Sequence, residues 1–215
     1  MNTLTIAIAK GRMGEKGVSF FDATPYEIVR NGDSRRLVFD DKSGTINFIF
    51  VKSADVVTYV ERGIADLGIV GKDIILEENK DIYEILDLKF GTCRFAIAGH
   101  KDQFPLKKDG VLRIASTYPS YVESVFRERE QKIEIIELGG SVELAPLMGL
   151  SDVIVDIVET GSTLRENGLV VLEELDSISG RLIANKVSYR FKYDAIREIE
   201  NVLQEKVALN TAKAK

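Results

Sequence analysis

Cysteine and histidine are almost missing from this sequence: Cys93 and His100 are the only ones among 215 residues. A lone cysteine makes no internal disulfide, so a reducing compartment is the natural home. With no Cys/His cluster a structural zinc is not expected. Cys93 reads as a small packed hydrophobe rather than a nucleophile. Positive charge is not in excess either. The 29 basic residues are outnumbered by 34 acidic ones, for a net charge of −5. That balance argues against bulk binding to nucleic acid or a membrane surface and leaves polyanions to local basic clusters. No apolar run approaches the roughly 20 residues that cross a bilayer; stretches such as Val153–Val155 stop at an acid or a glycine. The opening MNTLTIAIAKGRMG has no basic segment ahead of its apolar run and no small-residue cleavage pattern. A signal peptide is therefore not expected, and the cytoplasm is the expected location.

Familiar catalytic signatures are absent too. GIVGKD, Gly68–Asp73, ends in Gly-Lys but has too few residues between its glycines for a P-loop, and Asp73 stands where Ser or Thr belongs. No G-x-G-x-x-G follows a strand, and no G-x-S-x-G marks a hydrolase elbow.

What is present is ordinary globular material: 45% hydrophobic residues, 29% charged residues and 17 glycines. Low-complexity, collagen-like and wholly disordered readings are excluded. At about 150 residues per domain the length allows one or two. Alternation predicts strands at Thr3–Ala9, Arg36–Phe39, Thr45–Val51, Asp66–Val70, Tyr83–Phe90 and Phe95–Ala98. Further strands follow at Leu112–Ala115, Ile133–Leu138, Val153–Val158, Val170–Leu175 and Leu182–Ala184. Helical spacing predicts Ser53–Gly63, capped by Ser53, with Val56, Val57, Val60 and Ile64 on one face. It also predicts Asp73–Glu78, Pro119–Glu130, Ser141–Met148 and Tyr193–Val207, with a frayed tail from Asn210. Strand–helix alternation points to α/β layering with parallel strands, and so many short elements suit two small lobes. No linker rich in Pro, Gly or Ser separates them. The chain must then cross directly near Lys89–Arg94 and return near Ser179–Asn185. Residues 1–90 with 182–215 form one lobe and 91–181 the other, with a ligand cleft between them.

Three segments carry candidate chemistry. VIVDIVETGSTL, Val153–Leu164, is a buried strand that runs into Glu159, Thr160, Gly161, Ser162 and Thr163. Gly161 allows a sharp turn, consecutive N–H groups near a helix start favour an anion, and the hydroxyls complete a phosphate cradle. Asp156, on the strand, suits sugar hydroxyls or a metal-linked phosphate. An ordinary capped strand–helix turn accounts for the same pattern. In ELGGSVELAPLMGL, Glu137–Leu150, Ser141 caps a helix and Glu143 falls in its first turn. An acid favoured by the helix dipole explains Glu143 without any ligand. AKGRMGEKG, Ala9–Gly17, delivers Lys10, Gly11 and Arg12 at the carboxyl end of a strand, where open α/β sheets bind ligands. Lys16, Arg30, Arg35, Arg36 and Lys52 extend a basic rim suited to an anionic substrate; the alternative is a solvated turn.

ELGGSVELAPLMGLSDVIVDIVETGSTLRENGL closely resembles the signature of the ATP phosphoribosyltransferase family. AKGRM, DVVTYVERGIADLGIVGKD and FGTCRFAIAG resemble further segments, in the family's order. The resemblance covers nearly the whole chain and, at this length, points to the family's short form. It implies a two-lobed fold similar to type II periplasmic binding proteins, with the active site in the inter-lobe cleft. The implied reaction joins N1 of ATP's adenine to C1 of phosphoribosyl pyrophosphate and releases pyrophosphate, the first step of histidine biosynthesis. Mg2+ is implied through the substrate phosphates. The resemblance assigns the donor's 5′-phosphate to Glu159, Thr160, Gly161, Ser162 and Thr163. It assigns ribose hydroxyls or the metal-linked network to Asp156, pyrophosphate or ATP phosphates to Lys10, Gly11 and Arg12, and adenosine to Glu143. No residue is assigned as general acid or base, because adenine N1 attacks with its own lone pair. Lys52 stands where the family more often has arginine, which turns a bidentate fork into a point charge, and it is left out of the site. A homodimer within a hetero-oligomer is implied, together with a regulatory subunit similar to histidyl-tRNA synthetase. The competing reading is a non-catalytic two-lobed binding or sensor module, since fold does not fix function.

Overall fold

The computed structural model describes residues 4–29, 36–103, 106 and 110–213. The backbone falls into two compact units, one running to Gly91 and resuming at Ser179, the other Thr92–Ile178.

The first unit is built on a six-stranded sheet. Its centre is β1, Leu4–Ala9, whose small and branched side chains are buried on both faces. It lies parallel to β3, Ile46–Val51, and to β4, Leu67–Gly71. On one face Leu4, Ile6 and Ile8 join Ile196, Ile199 and Leu203 of α8, Tyr193–Lys213. On the other, Ala7 and Ala9 meet Val56, Val57 and Val60 of α2, Ser53–Glu61. Burial on both faces is what a parallel strand covered by helices requires. The sheet order is β2-β3-β1-β4-β11-β5, with β2 at Val38–Asp40, β5 at Tyr83–Asp87 and β11 at Gly180–Ala184. Register sets Ala9 beside Val51 and Ile8 beside Ile69. Lys10, Lys52 and Gly71 therefore emerge together at the carboxyl edge.

The second unit holds a sheet of order β10-β6-β9-β7-β8. Its strands are β6, Cys93–Gly99, β7, Leu112–Ser116, β8, Ile133–Glu137, β9, Val153–Val158, and β10, Val170–Ile178. α4, Pro119–Arg127, packs on it through Tyr121, Val122 and Phe126. β7 is parallel to β8 and β9, whereas β6 is antiparallel to β9 and β10. The antiparallel pairs of β6 thus add to the parallel layering that strand–helix alternation points to. The strands flanking the two chain crossings, β5, β6, β10 and β11, all pair antiparallel. The return falls at Ser179 rather than Leu182, because Gly180 and Arg181 pair with Gly71 and Val70 of β4. The Gly180 N–H donates to the Phe90 carbonyl (2.8 Å), and the Leu88 N–H donates to the Gly180 carbonyl (2.9 Å). The two crossing segments are thereby tied to each other.

Other local expectations are corrected. Ser53 is the first residue of α2 and not its cap. Lys52 holds the cap position with extended backbone and no side-chain bond. Ile64 is 63% exposed, because Gly63 ends the helix in the left-handed region before the apolar face returns. α3 spans Lys72–Glu78. α7, Lys186–Phe191, was not expected; Asn185 caps it by accepting the Ser188 N–H at 2.9 Å. Helix also continues through Asn210 to Lys213, where a frayed tail was expected. Another unexpected helix is α1, Arg12–Ser19. Its glycines are the reason it fits. A Cβ on Gly14 would lie 1.6 Å from the Ala9 carbonyl oxygen, and one on Gly17 would lie 2.9 Å from Ile69 Cγ2.

Gly14→Ala should therefore destabilise the protein by more than the ~1–3 kcal/mol typical of overpacking. Gly139→Ala is the control, since a Cβ there meets nothing within 4 Å, and it should stay within about 0.5 kcal/mol. Urea unfolding of both variants checks this.

Candidate active site

In the second unit, β9 ends at Val158 and the chain turns through Glu159, Thr160 and Gly161 into α6, Ser162–Glu166. Buried Leu164 and Val158 anchor the two ends of the turn in one core cluster. Gly161 adopts φ 71° and ψ 14°, left-handed backbone that a Cβ disfavours. Thr160 and Ser162 hydroxyls lie 3.0 Å apart. The first N–H groups of α6 have no acceptor within the helix, a general property of helix starts. This turn lines a cavity of about 220 Å3 together with Asp156 and Glu143.

Asp156 sits on β9 opposite Ala96 of β6 and is half-buried. Burial holds its carboxyl above the usual range; the Ile157 N–H works against this and the Glu143 charge adds to it. Glu143 itself is placed differently from expectation. The helix begins later, as α5, Leu144–Leu147, with Glu143 at the cap position. Ser141, with left-handed backbone (φ 48°), lies two residues ahead of that cap.

Lys10, Gly11 and Arg12 belong to the first unit. The Lys10 N–H donates to the Val51 carbonyl at 2.8 Å, which fixes where the strand ends. Gly11, at φ 89° and ψ −164°, is the cap of α1, and Arg12 is its first residue. Lys10 and Arg12 are exposed, and so is Lys52. Arg36 lies over the Phe39 ring, 5.9 Å from its centroid. Arg30 and Arg35 of the expected basic rim fall outside the described residues. The structure thus gathers Glu143, Asp156 and Glu159–Thr163 around one cavity in one unit, and Lys10–Arg12 on a strand end in the other.

Two contributors were not foreseen. The buried Ser116 hydroxyl donates to the Val155 carbonyl (2.6 Å) and accepts the Tyr118 N–H (3.0 Å). It ties the end of β7 to β9 just before Asp156; the Ser-Thr-Tyr-Pro run after a strand was the available signal. The Arg165 Nη1 donates to the Thr160 carbonyl at 2.9 Å, a contact no local pattern announces. Volume does not choose the site. A cavity of about 1000 Å3 lies between β5 and α7, lined by Tyr83, Tyr189, Phe191 and Tyr193. The smaller one is where carboxylates, hydroxyls and a left-handed glycine converge.

The sequence pattern described as ATP phosphoribosyltransferase matches residues 52–205. The chain belongs to the ATP phosphoribosyltransferase family. An ATP phosphoribosyltransferase of Clostridioides difficile is 52% identical over 205 residues, covering 95% of this chain and 99% of that one. One from a Thermoanaerobacter species is 50% identical over 211 residues, covering 96% and 97%. The ATP phosphoribosyltransferase in a HisG:HisZ complex from Thermotoga maritima superposes with TM-score 0.83 at 35% identity, over 96% of this chain and 99% of that one. The periplasmic aliphatic sulphonate binding protein SsuA of Escherichia coli matches at TM-score 0.57 and 14% identity, over 100% of this chain and 75% of that one. That likeness concerns fold alone, and it is the two-lobed periplasmic-binding class expected of this family. Among the described residues no helix is long and apolar enough to cross a membrane.

The raised Asp156 carboxyl gives a signed expectation. A group whose folded pKa lies above its unfolded value takes up a proton on folding between the two. Stability therefore falls as pH rises through that window, and the penalty is complete above it. Asp156→Asn should raise the urea midpoint near pH 8 and leave it unchanged near pH 3, where the carboxyl is neutral in both states. The same variant should weaken donor binding.

Proposed function

We propose that this chain catalyses attack of adenine N1 of ATP on C1 of phosphoribosyl pyrophosphate. The N1–C1 bond forms, the bond from C1 to the pyrophosphate oxygen breaks, and the anomeric centre inverts. The observation that carries the reading is the Glu159–Thr163 turn, with its left-handed Gly161, beside Asp156. N–H groups and hydroxyls of the turn hold the 5′-phosphate, and Asp156 takes ribose hydroxyls. Glu143 lies toward the adenosine, and Lys10, Gly11 and Arg12 meet pyrophosphate or ATP phosphates. The nucleophile carries its own lone pair, so no general base is required. Rate enhancement then rests on alignment and on cations placed where charge builds on pyrophosphate.

Among the described residues no group of three or more His, Cys, Asp or Glu side chains is arranged to hold a metal. The proposed ion is carried in by substrate phosphates and steadied by one or two carboxylates. Asp156 and Glu143, which already feel each other's charge, are the pair that fits. When bound, Mg2+ would neutralise the leaving group. The chain would work in the cytoplasm as a homodimer within a hetero-oligomer containing a subunit similar to histidyl-tRNA synthetase. The Thermotoga complex, named HisG:HisZ, supports that assembly. The competing reading is a binding module without turnover, since a shared fold does not fix function.

Two experiments test these statements. Gly161→Val forces a branched side chain into left-handed backbone and to 3.3 Å from Arg165 Nη1. It should raise the donor's KM tenfold or more, from strain of about 1–3 kcal/mol, while the fold survives. Thr163→Ala should cost about 1–3 kcal/mol of donor binding. Unchanged donor affinity in both would refute the loop assignment. Purified chain with ATP, donor and Mg2+ is then followed for phosphoribosyl-ATP absorbance, with and without the synthetase-like subunit. The subunit should raise kcat and confer histidine sensitivity. Donor binding with no product under either condition would leave the binding-module reading.

A further inference from the structure

Arg165 holds two carbonyls of the turn. Its backbone N–H donates to the Gly161 carbonyl at 3.1 Å, and its Nη1 donates to the Thr160 carbonyl at 2.9 Å. A peptide group is planar and trans, so fixing a carbonyl also fixes the next N–H on the opposite side. Holding Thr160 C=O aims the Gly161 N–H, and holding Gly161 C=O aims the Ser162 N–H, both away from Arg165. The Ser162 N–H contacts Thr160 Oγ1 at 3.4 Å, which is long for a hydrogen bond and leaves it available to a better acceptor. The guanidinium packs against the bare face of Gly161, where a Cβ would stand 3.3 Å from Nη1. The left-handed glycine and the arginine are therefore one device.

We infer that Arg165 is a positioning residue for phosphate recognition, acting through the Thr160 carbonyl and not by touching the ligand. The inference rests on the assignment of this turn to the donor phosphate made above. It separates two roles that an arginine beside an anion site can play. Arg165 is exposed, so any attraction exerted through its charge is screened by salt. A fixed peptide orientation is not.

Calorimetry of the full chain with phosphoribosyl pyrophosphate and Mg2+, at low and at high salt, distinguishes them. Arg165→Met should raise the donor Kd about tenfold, the equivalent of one hydrogen bond with a charged partner. The ratio of variant to wild type should be the same at both salts. Arg165→Lys, which keeps a donor of similar reach, should recover most of the loss at both. In steady state the donor's KM should rise and the KM for ATP should not. If Arg165→Met fails to fold, as judged by its melting transition, Arg165→Gln takes its place. Equal donor affinity in variant and wild type overturns the inference. So does a deficit that vanishes at high salt, which would assign Arg165 to charge alone; in both cases the donor assignment of the turn stands. A wild-type chain that binds no donor refutes that assignment and takes the inference with it.

Discussion

The carboxylate of Asp66 pins the first unit. It lies just ahead of β4 and is only 5% exposed. It accepts the Thr5 N–H of β1 at 2.9 Å, the Ser188 hydroxyl of α7 at 2.6 Å and the Lys192 ammonium ahead of α8. The Asp66 N–H in turn donates to the Thr5 carbonyl at 2.8 Å. A buried carboxylate is tolerable only when its lone pairs are met and its charge is balanced. Here the three partners come from β1, from α7 and from the residue that ends α7. Meeting the demand sets β1 and β4 in register at their amino ends, so their carboxyl ends also arrive in step. That is why Lys10 and Gly71 emerge side by side, and why α7 and α8 lie where they do.

The second unit solves a different electrostatic problem. Under the proposed function it has to attract a phosphate while keeping carboxylates within reach of a sugar. Its answer is to draw attraction from peptide N–H groups, whose dipoles carry no net charge and need no desolvated cation. The acids are then set back on the strand and at the α5 cap. The cost shows in the raised Asp156 carboxyl, held there by burial and by Glu143.

Most strands were legible, because alternating or continuous apolar runs in a covered sheet leave a strong local trace. The β9 turn was legible for the same reason: a buried strand that breaks into Glu-Thr-Gly-Ser-Thr has few local alternatives. What was not legible depended on distant partners. α1 is polar and carries Gly14 and Gly17, which read locally as helix breakers; only the close approach to Ala9 and Ile69 makes them necessary. Ser53 and Ser141 satisfy the local preference for a cap, but backbone geometry set by packing assigns the caps to Lys52 and Glu143. Strand direction at the crossings is equally a property of where the chain must go next. Arg165 reads as an ordinary surface residue of a short helix until the turn before it is seen folding back beneath its guanidinium.

The rung that ties Gly180 to Phe90 and Leu88 carries a topological consequence. Seen from the first unit, Thr92–Ile178 is one long excursion between two points already hydrogen-bonded together. The entropy of closing an excursion grows only logarithmically with its length. Once the rung exists, the first unit is almost indifferent to how much chain lies beyond it. The second unit is thus an insertion at a closed junction, free to vary in size and in the chemistry of its loops without unsettling the sheet that hosts it.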